Sequence, residues 1–356
     1  MKILHSADWH LDSPLVGRTE AQARYLREEL LKIPEKVVAL CKNEGCDLLL
    51  LAGDLFDGQY TKESMNAVRI ALAEAGVPVF ISPGNHDFCS PTSPYLTESW
   101  PDNVHIFTQP AMESVTLSDL DCKIYGAGYR AMDCPALLKH FSAEGDERWH
   151  IGVLHSDPQQ ANSPYAPVTS QQVKSSGLDY LALGHIHKGD SFRAGEVLCA
   201  WPGSPMGRGY DEDGVKGVLL VTLEEEASAQ FLPLDTPRFF DEKVDVGESP
   251  ADALDALLPP VQTRDFYRIT LTGYSAPLDM DALAARFPHI SNLELRDRTA
   301  PETDLWGNLG EDTLEGLYFK LLHDGLDTES EKLKQTLTLA ARISRQILDG
   351  QEVVLP

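Results

Sequence analysis

The residues with the clearest chemical potential form five short polar clusters, each of which directly follows a run of aliphatic residues. They are Asp8-Trp9-His10, Gly53-Asp54, Gly84-Asn85-His86-Asp87, Leu154-His155 and Gly184-His185-Ile186-His187. The aliphatic runs predict strands, and in layered α/β proteins binding sites gather at the carboxyl ends of strands. We therefore expect the five clusters to meet in one crevice.

The residue types and the spacing within the clusters indicate a metal site. In an extended segment residues i and i+2 project to the same side, so Asp8 can pair with His10, and His185 with His187. The candidate ligands, which all offer an oxygen or imidazole lone pair, are Asp8, His10, Asp54, Asn85, His155, His185 and His187. With one bridging carboxylate, these groups supply four ligands to each of two divalent ions. Such mixed ligation favours Mn²⁺, with Fe or Zn as alternatives.

Any one cluster alone has an ordinary structural explanation. A single histidine after a strand is more often a hydrogen-bonded core residue than a ligand, and an aspartate there usually caps a turn or helix. The joint occurrence of the clusters, each after a predicted strand, is what favours the metal site.

The pattern of apolar residues over the rest of residues 1–220 predicts the helices and strands that position these clusters. Helices are predicted at residues 21–42, where Pro34 interrupts the pattern, and at residues 62–75. Buried strands are predicted at Lys2–His5, Leu48–Ala52, Val77–Ser82, Lys123–Gly126, His150–His155 and Tyr180–Leu183. Val197–Trp201 and Gly217–Leu223 look like neighbouring strands. Strands separated by helices predict an α/β core with a mixed sheet or two sheets.

The pattern changes after Pro237. A β-α-β-α-β order over residues 238–300 predicts a small α+β domain, and two helices are predicted near Asp312–His323 and Glu329–Leu348. Apolar residues recur at helical spacing in the last helix, which either closes its own domain or docks on a partner. We therefore divide the chain into domains at 1–237, 238–300 and 301–356, the last as a candidate partner-docking region.

The composition limits the classes of function. The chain has 356 residues and a net charge of −25, which argues against a broad basic face for nucleic acid. The longest aliphatic run, Leu48–Leu51, is far shorter than the about 20 residues of a membrane span. Charged and imidazole side chains interrupt any signal-peptide core at the start of the sequence. Six cysteines without a CxxC pair favour a reducing cytoplasm.

At the five clusters the sequence resembles the calcineurin-like metallophosphoesterase superfamily, whose ordered signature is DxH, GD, GNHD, H and GHxH. More narrowly, HSADWHLDSPL, GDLFD, PGNHD, GHIH and PGSPMGR resemble the SbcD-type DNA repair exonucleases, and NSPYAPV with LDYLALGHIH resembles their YhaO-like branch. The resemblance implies a four-layered αββα core with a small α+β capping domain and C-terminal helices. It also implies a homodimer and a partner, an SbcC- or YhaN-like coiled-coil ATPase.

The resemblance further implies a role for each site residue. The first metal ion would be held by Asp8, His10, Asp54 and His187, and the second by Asp54, Asn85, His155 and His185. His86, beside a ligand but directed elsewhere, resembles the catalytic histidine of the family.

Other polar residues receive weaker predictions. Arg208 is a candidate phosphate contact, with a loop salt bridge as the alternative, and Tyr165 a candidate for stacking on bases, with packing as the alternative. We expect Asp12 and Asp57 to orient loops, Asp87 to orient His86 or cap a helix, and His5 to hydrogen-bond behind the ligands.

The leading functional hypothesis is a metal-dependent nuclease that hydrolyses DNA phosphodiester bonds by attack of a water molecule activated by two metal ions. His86 would stabilise the developing charge or protonate the leaving group. The first alternative is a phosphodiesterase or phosphatase for a nucleotide or another small molecule, because fold and metals do not define the substrate. The second is a regulatory adaptor of a coiled-coil ATPase. The complete ligand set argues against a loss of catalysis.

Overall fold

The computed structural model describes residues 1–247, 249–301, 304–350 and 353. Its chain forms two compact units, Met1–Phe239 and Phe240–Pro356, each with a core of its own. Part of the segment 301–356, which the sequence analysis treats separately, lies outside the described residues.

Two six-stranded sheets form the centre of the first unit. Their strands are β1 (Lys2–Ser6), β2 (Leu48–Leu51), β3 (Val79–Ile81), β4 (Val104–Ile106), β5 (Glu113–Leu117), β6 (Cys122–Gly126), β7 (Trp149–His155), β8 (Tyr180–Gly184), β9 (Lys188–Ala194), β10 (Val197–Gly203), β11 (Gly217–Leu223) and β12 (Ala227–Pro233). The first sheet has the order β12-β11-β1-β2-β3-β4 and the second the order β5-β6-β7-β8-β10-β9. Strands β1 to β4 are parallel, as are β6, β7, β8 and β10.

The two sheets pack face to face and carry helices on their outer faces. Ile3 and Leu50 of the first sheet share one buried apolar cluster with Ile151 of the second. On the far side of the second sheet, Leu181 packs in a cluster with Val173 of a helix. The helices of this unit are α1 (Glu20–Leu30), α2 (Ile33–Asn43), α3 (Lys62–Ala73), α4 (Pro94–Thr97) and α5 (Ser170–Ser175). This arrangement confirms the predicted layered α/β fold class.

Pro34 divides the helical stretch that the sequence predicts at residues 21–42. The helix α1 begins with a capping box between Thr19 and Gln22, and α2 begins just before Pro34. Proline is favourable in the first turn of a helix because its missing N–H would have no intrahelical partner there. The predicted helix is therefore two consecutive helices.

The prediction that Val197–Trp201 and Gly217–Leu223 are neighbouring strands is wrong. The first is part of β10, which pairs with β8 and β9, and the second is β11, which pairs with β1 and β12. Both strands are buried apolar runs, and such a run does not specify which sheet it joins. The chain thus crosses from one sheet to the other through residues 204–216.

The second unit contains small sheets and four helices among its described residues. Its elements are β13 (Phe239–Asp245), α6 (Pro250–Leu257), β14 (Phe266–Thr272), β15 (Tyr274–Ser275), α7 (Met280–Ala284), β16 (Leu293–Asp297), β17 (Ala300–Pro301), α8 (Leu314–Asp324) and α9 (Glu331–Leu348). The order β13-β14-β16 forms a three-stranded sheet, and α8 and α9 pack through Phe319 and Ala341. In the described part of the chain, no helix has both the length and the apolar character needed to cross a membrane.

Candidate metal centre

The polar clusters follow the carboxyl ends of neighbouring strands and are tied together by backbone hydrogen bonds. Asp8 N donates to Gly53 O, and His10 N donates to Asp54 O, each at 2.9 Å. The carboxylates are held as well: His185 N donates to Asp8 at 3.0 Å. His86 N donates to Asp54 Oδ1 at 2.9 Å. These bonds fix the side chains that face the crevice.

One group of ligand atoms surrounds a position between β1 and the loop after β8. Ligand atoms of Asp8, His10 and His187 all lie within 4.8 Å of one another. The Nε2 atoms of His10 and His187 are 3.0 Å apart. Asp54 Oδ2 lies 3.8 Å from His10 Nε2. The four residues predicted for the first metal ion are thus brought together.

A second group of ligand atoms includes Asp54 itself. Ligand atoms of Asp8, Asp54 and His155 lie within 4.8 Å of one another. His155 Nε2 is 3.3 Å from Asp54 Oδ2 and 2.9 Å from Asn85 Oδ1. His185 Nδ1 lies 3.2 Å from the same Asn85 oxygen. Asp54 therefore faces both groups, the position expected of a bridging carboxylate.

The chemistry of this donor set fits divalent cations. His155 Nδ1 lies 2.9 Å from Ala52 O and must donate to it, so a neutral His155 presents the Nε2 lone pair to Asp54 and Asn85 Oδ1. Three acceptors then face one another with no hydrogen between them. Burial alone would lower the pKa of His155, but the negative charges of Asp54 and Asp8 raise it to about 9. Without a cation, His155 is therefore protonated and balances the charge of the two carboxylates. Imidazole and oxygen ligands together suit Mn, Fe or Zn.

Four of the predicted ligands have a positive φ, a backbone conformation that residues other than glycine rarely adopt. Asp8, His10, Asp54 and His185 have φ values of 55°, 47°, 52° and 95°. The expectation that Asp8 with His10, and His185 with His187, alternate along extended segments is therefore wrong. The side chains converge through turns with positive φ values instead. Such residues cost about 1–3 kcal/mol each and cluster at functional sites.

Two glycines of the motifs make this packing possible. A Cβ atom on Gly84 would lie 2.2 Å from Asp54 Oδ1, and one on Gly53 would lie 2.6 Å from His155 Nδ1. Gly53 also has a φ of 88°, which glycine adopts at little cost. The close approach of loops and ligands therefore requires glycine at both positions.

His86 faces a carboxylate that the sequence analysis assigned only to loop orientation. Its Nδ1 atom lies 2.6 Å from Asp57 Oδ1, and its side chain is 40% exposed. This hydrogen bond to Asp57 raises the pKa of His86, although partial burial opposes the shift. Asp57 is thus the partner of His86. The signal for it was present, because Asp57 stands three residues after Asp54 in the GDLFD motif.

Glu212 is a further site residue that the sequence analysis missed. Its Oε1 atom lies 2.8 Å from His187 Nδ1 and 2.8 Å from Arg208 Nη2. Burial alone would raise the pKa of Glu212, but the bond to His187 and the charge of Arg208 bring it well below its usual range. Nothing in the sequence separates Glu212 from its acidic neighbours Asp211 and Asp213.

The remaining predicted residues surround the ligands. Arg208 is largely buried against Asp57 and Glu212. The ring of Tyr165 lies 4.6 Å from that of His185. Asp12 accepts hydrogen bonds from Thr61 at the start of α3, as expected of a residue that orients a loop.

Asp87 and His5 stabilise the site from behind. Asp87 accepts from Gly84 N at 2.8 Å and from Leu55 N at 2.7 Å, so it braces two ligand loops rather than His86. His5 lies 2.7 Å from the Tyr180 hydroxyl and 3.0 Å from Leu183 O, which places it behind the ligands as expected. It thereby links β1 of the first sheet to β8 of the second.

Several known proteins are similar to this chain. The chain is 33% identical over 239 residues to the uncharacterized metallophosphoesterase YhaO of Bacillus subtilis, a match that covers 62% of this chain and 57% of YhaO. It is 25% identical over 281 residues to SbcD of the nuclease SbcCD of Bacillus subtilis, covering 65% of this chain and 68% of that protein. The chain thus spans little more than half the length of YhaO.

A solved structure of a dimetal phosphatase from Danio rerio aligns with 66% of this chain and 98% of its own, at 12% identity and a TM-score of 0.44. The family model for calcineurin-like phosphoesterases matches residues 1–189, which is more than half of the sequence. That range includes all seven predicted ligands and His86. The chain is therefore a member of the calcineurin-like phosphoesterase family.

Proposed function

We propose that this protein is a nuclease that hydrolyses the phosphodiester bonds of DNA with two divalent metal ions. Mn²⁺ is the first candidate for these ions, ahead of Fe and Zn. Hydrolysis is supported by the hydrogen-bonded pair His86–Asp57, which lies beside the proposed ligands, since the rings of His86 and His10 are 4.8 Å apart. The DNA part is supported by the similarity to SbcD of the nuclease SbcCD.

The proposed roles follow from the positions of the side chains. Asp8, His10, Asp54 and His187 would hold one ion, and Asp54, Asn85, His155 and His185 the other. When bound, the ions would polarise the phosphoryl group and lower the pKa of a water molecule. His86, charged and held through Nδ1 by Asp57, would donate a proton from Nε2 to the leaving alkoxide. Each role depends on atoms that face the same crevice.

Substrate contacts are proposed for two residues beside the centre. Tyr165 lies against His185 and is half-buried, so one face of its ring can stack on a base. Arg208 has 17% side-chain exposure, and its Nη2 atom lies 3.3 Å from His187 Nδ1. A guanidinium at this place suits a phosphate oxygen.

A small phosphoester is the second candidate substrate. A cavity of about 450 Å³ lies beside His187 and is lined by the carboxylates of Asp190, Asp211 and Asp213. The cavity is also lined by Lys188 and Lys216, which can attract a phosphate. The net charge of −25 would disfavour a long DNA backbone more than a single small phosphoester. The volume is in the range of small-molecule sites.

A partner is proposed for the C-terminal helices. Leu314 and Leu321 of α8 are 87% and 74% exposed, and Ile347 of α9 is 60% exposed. Exposed apolar side chains of this kind can pack against a helix of a coiled-coil ATPase, the partner that the resemblance implies. We further propose a homodimer in the cytoplasm, and a regulatory role toward the ATPase in addition to catalysis.

The test follows end-labelled single- and double-stranded DNA incubated with the purified protein and Mn²⁺. The controls are a chelator and His86→Ala. A set of nucleotides and bis(p-nitrophenyl) phosphate is tested in parallel. Degradation of DNA that is lost in both controls supports the nuclease, and the product ladder gives its polarity. Turnover of the small esters without any cleavage of DNA would favour the second candidate.

A further inference from the structure

The guanidinium of Arg208 connects two carboxylates that serve different histidines. Its Nη2 atom lies 2.8 Å from Glu212 Oε1, the atom that also faces His187 Nδ1. Its Nη1 atom lies 3.6 Å from Asp57 Oδ2, and the other oxygen of Asp57 faces His86 Nδ1. A continuous chain of charged groups therefore runs from a proposed metal ligand to the proposed acid.

The surroundings hold Arg208 in this place. Its backbone N donates to Glu212 Oε2 at 3.1 Å. This local hydrogen bond fixes the loop over residues 208–212. Its Nη1 atom also lies 3.4 Å from Ser13 Oγ. Among the described residues, Arg208 Nε is buried and has no hydrogen-bond partner, so the side chain is held through its two Nη groups. Lysine has a single nitrogen and cannot reproduce a fork that reaches two separate carboxylates.

We propose that Arg208 is a positioning residue that couples the orientation of His86 to that of His187. The inference rests on the proposed function, since it assigns Arg208 a role in that same site. Through Glu212, Arg208 keeps His187 Nδ1 as the donor, so that Nε2 faces His10 and the first metal position. Through Asp57, it keeps His86 Nδ1 engaged and its Nε2 available for the leaving group.

Two simpler roles predict different results. If Arg208 only bound the phosphate of the substrate, its removal would raise KM and leave metal binding unchanged. If it only stabilised the loop 204–216, its removal would lower the melting temperature without distinguishing between leaving groups. The coupling role predicts a loss of metal affinity together with a kcat effect that depends on the leaving group.

The experiment compares the parent protein, residues 1–356, with Arg208→Ala, Arg208→Lys and the control Arg193→Ala. Arg193 lies on the edge strand β9 and is 41% exposed in an ion pair with Glu226. Mn²⁺ affinity is measured from the electron paramagnetic resonance signal of the free ion. The kcat and KM values are measured on bis(p-nitrophenyl) phosphate, which has a good leaving group, and on a thymidine dinucleotide, which has a poor one. Melting temperatures check folding.

We expect Arg208→Ala to weaken Mn²⁺ binding by about tenfold, the lower end of the range for losing the hydrogen-bond partner of a metal ligand, because Glu212 remains but loses the guanidinium that holds it. At saturating Mn²⁺, kcat should fall more on the dinucleotide than on the nitrophenyl ester, and Arg208→Lys should not restore either property. Arg193→Ala should match the parent protein. The effect of Arg208→Ala on the dinucleotide should be much smaller when His86 is already alanine, because the two residues act on one step.

Unchanged Mn²⁺ affinity in a folded Arg208→Ala protein overturns the coupling, whatever the activities are. So does a fall in kcat that is equal on both esters, or full recovery with Arg208→Lys. If the parent protein hydrolyses neither ester, it is the proposed function that fails, and the Mn²⁺ titration still decides for or against the role of Arg208.

Discussion

His86 Nδ1 lies 2.6 Å from Asp57 Oδ1, and the same carboxylate oxygen lies 3.8 Å from Nδ1 of His10. One anion therefore stands between the proposed acid and a proposed metal ligand. The Asp57 carboxylate favours the charged form of His86. Because it binds Nδ1, it leaves Nε2 of His86 to face the proposed substrate. The two tasks proposed for the site, holding metal and moving a proton, both involve the Asp57 side chain.

Replacing His86 by alanine should remove the acid without removing the metal. His86 Nδ1 is directed to Asp57, and the variant leaves the seven proposed ligands unchanged. We expect kcat to fall by about 10²- to 10⁴-fold, the usual contribution of a general acid, with unchanged Mn²⁺ stoichiometry. His105→Ala, which changes an exposed histidine on β4, serves as the control. Full turnover with the metal sites loaded would exclude His86 as the acid.

The pH dependence of kcat should reveal Asp57 as the partner of His86. The acid must be protonated, and its pKa is raised above the ordinary value of 6.5 chiefly by the hydrogen bond to Asp57. Activity should therefore persist as the pH rises through 6.5 and decline only above the raised pKa. Asp57→Asn removes the negative charge, so this decline should move to lower pH.

The measurement is a profile of kcat against pH at saturating Mn²⁺ for the parent and for Asp57→Asn. Asp12→Asn is the matched control, because Asp12 contacts Thr61 and Ser64 at the start of α3 rather than a histidine. A decline at the same pH in the parent and in Asp57→Asn would contradict the assignment.

The sequence predicts the interior of the fold better than its edges. The eight strands predicted in the first unit correspond to β1, β2, β3, β6, β7, β8, β10 and β11, all of which lie inside a sheet. The four strands that were not predicted, β4, β5, β9 and β12, are the four edge strands. An edge strand pairs on one side only and has few buried residues, as in β9, so it lacks the aliphatic run that marks a buried strand.

The same contrast holds at the site. The side chains that the structure brings together as candidate ligands could be predicted because each stands at or just after the end of a buried strand. Glu212 could not, because it lies in a loop between two other acids and acts only through its hydrogen bonds to His187 and Arg208. A partner that is brought near by tertiary folding leaves no spacing pattern in the sequence.

Adding one methyl group at Gly84 should damage the metal site directly. The new Cβ would lie 2.2 Å from Asp54 Oδ1 and 2.8 Å from His155 Cγ, so the Asp54 carboxylate, the proposed bridge, must move. We expect Gly84→Ala to weaken Mn²⁺ binding by at least about tenfold, as for other losses of ligand orientation, and to lower the melting temperature. Gly310→Ala is the control, since a Cβ there meets no atom within 4 Å. Wild-type affinity in Gly84→Ala would show that Asp54 does not need its present position.

The buried histidine between the two sheets should make stability depend on pH. Burial lowers the pKa of His5 to about 3, although its bond to Leu183 O opposes the shift, whereas the unfolded chain has a value near 6.5. Between these values the unfolded state binds the proton and the folded state does not. The free energy of unfolding should therefore be highest above pH 6.5 and fall by about 1.4 kcal/mol per pH unit as the pH drops toward the folded value.

The variant His5→Gln isolates this contribution. A glutamine amide can donate to Leu183 O and accept from Tyr180, but it does not titrate. Urea unfolding at a series of pH values, in the presence of chelator, should show a slope shallower by one proton in His5→Gln than in the parent. His323→Gln, which changes an exposed histidine of α8, should keep the slope of the parent. Equal slopes in His5→Gln and the parent would mean that His5 does not stay neutral in the folded protein.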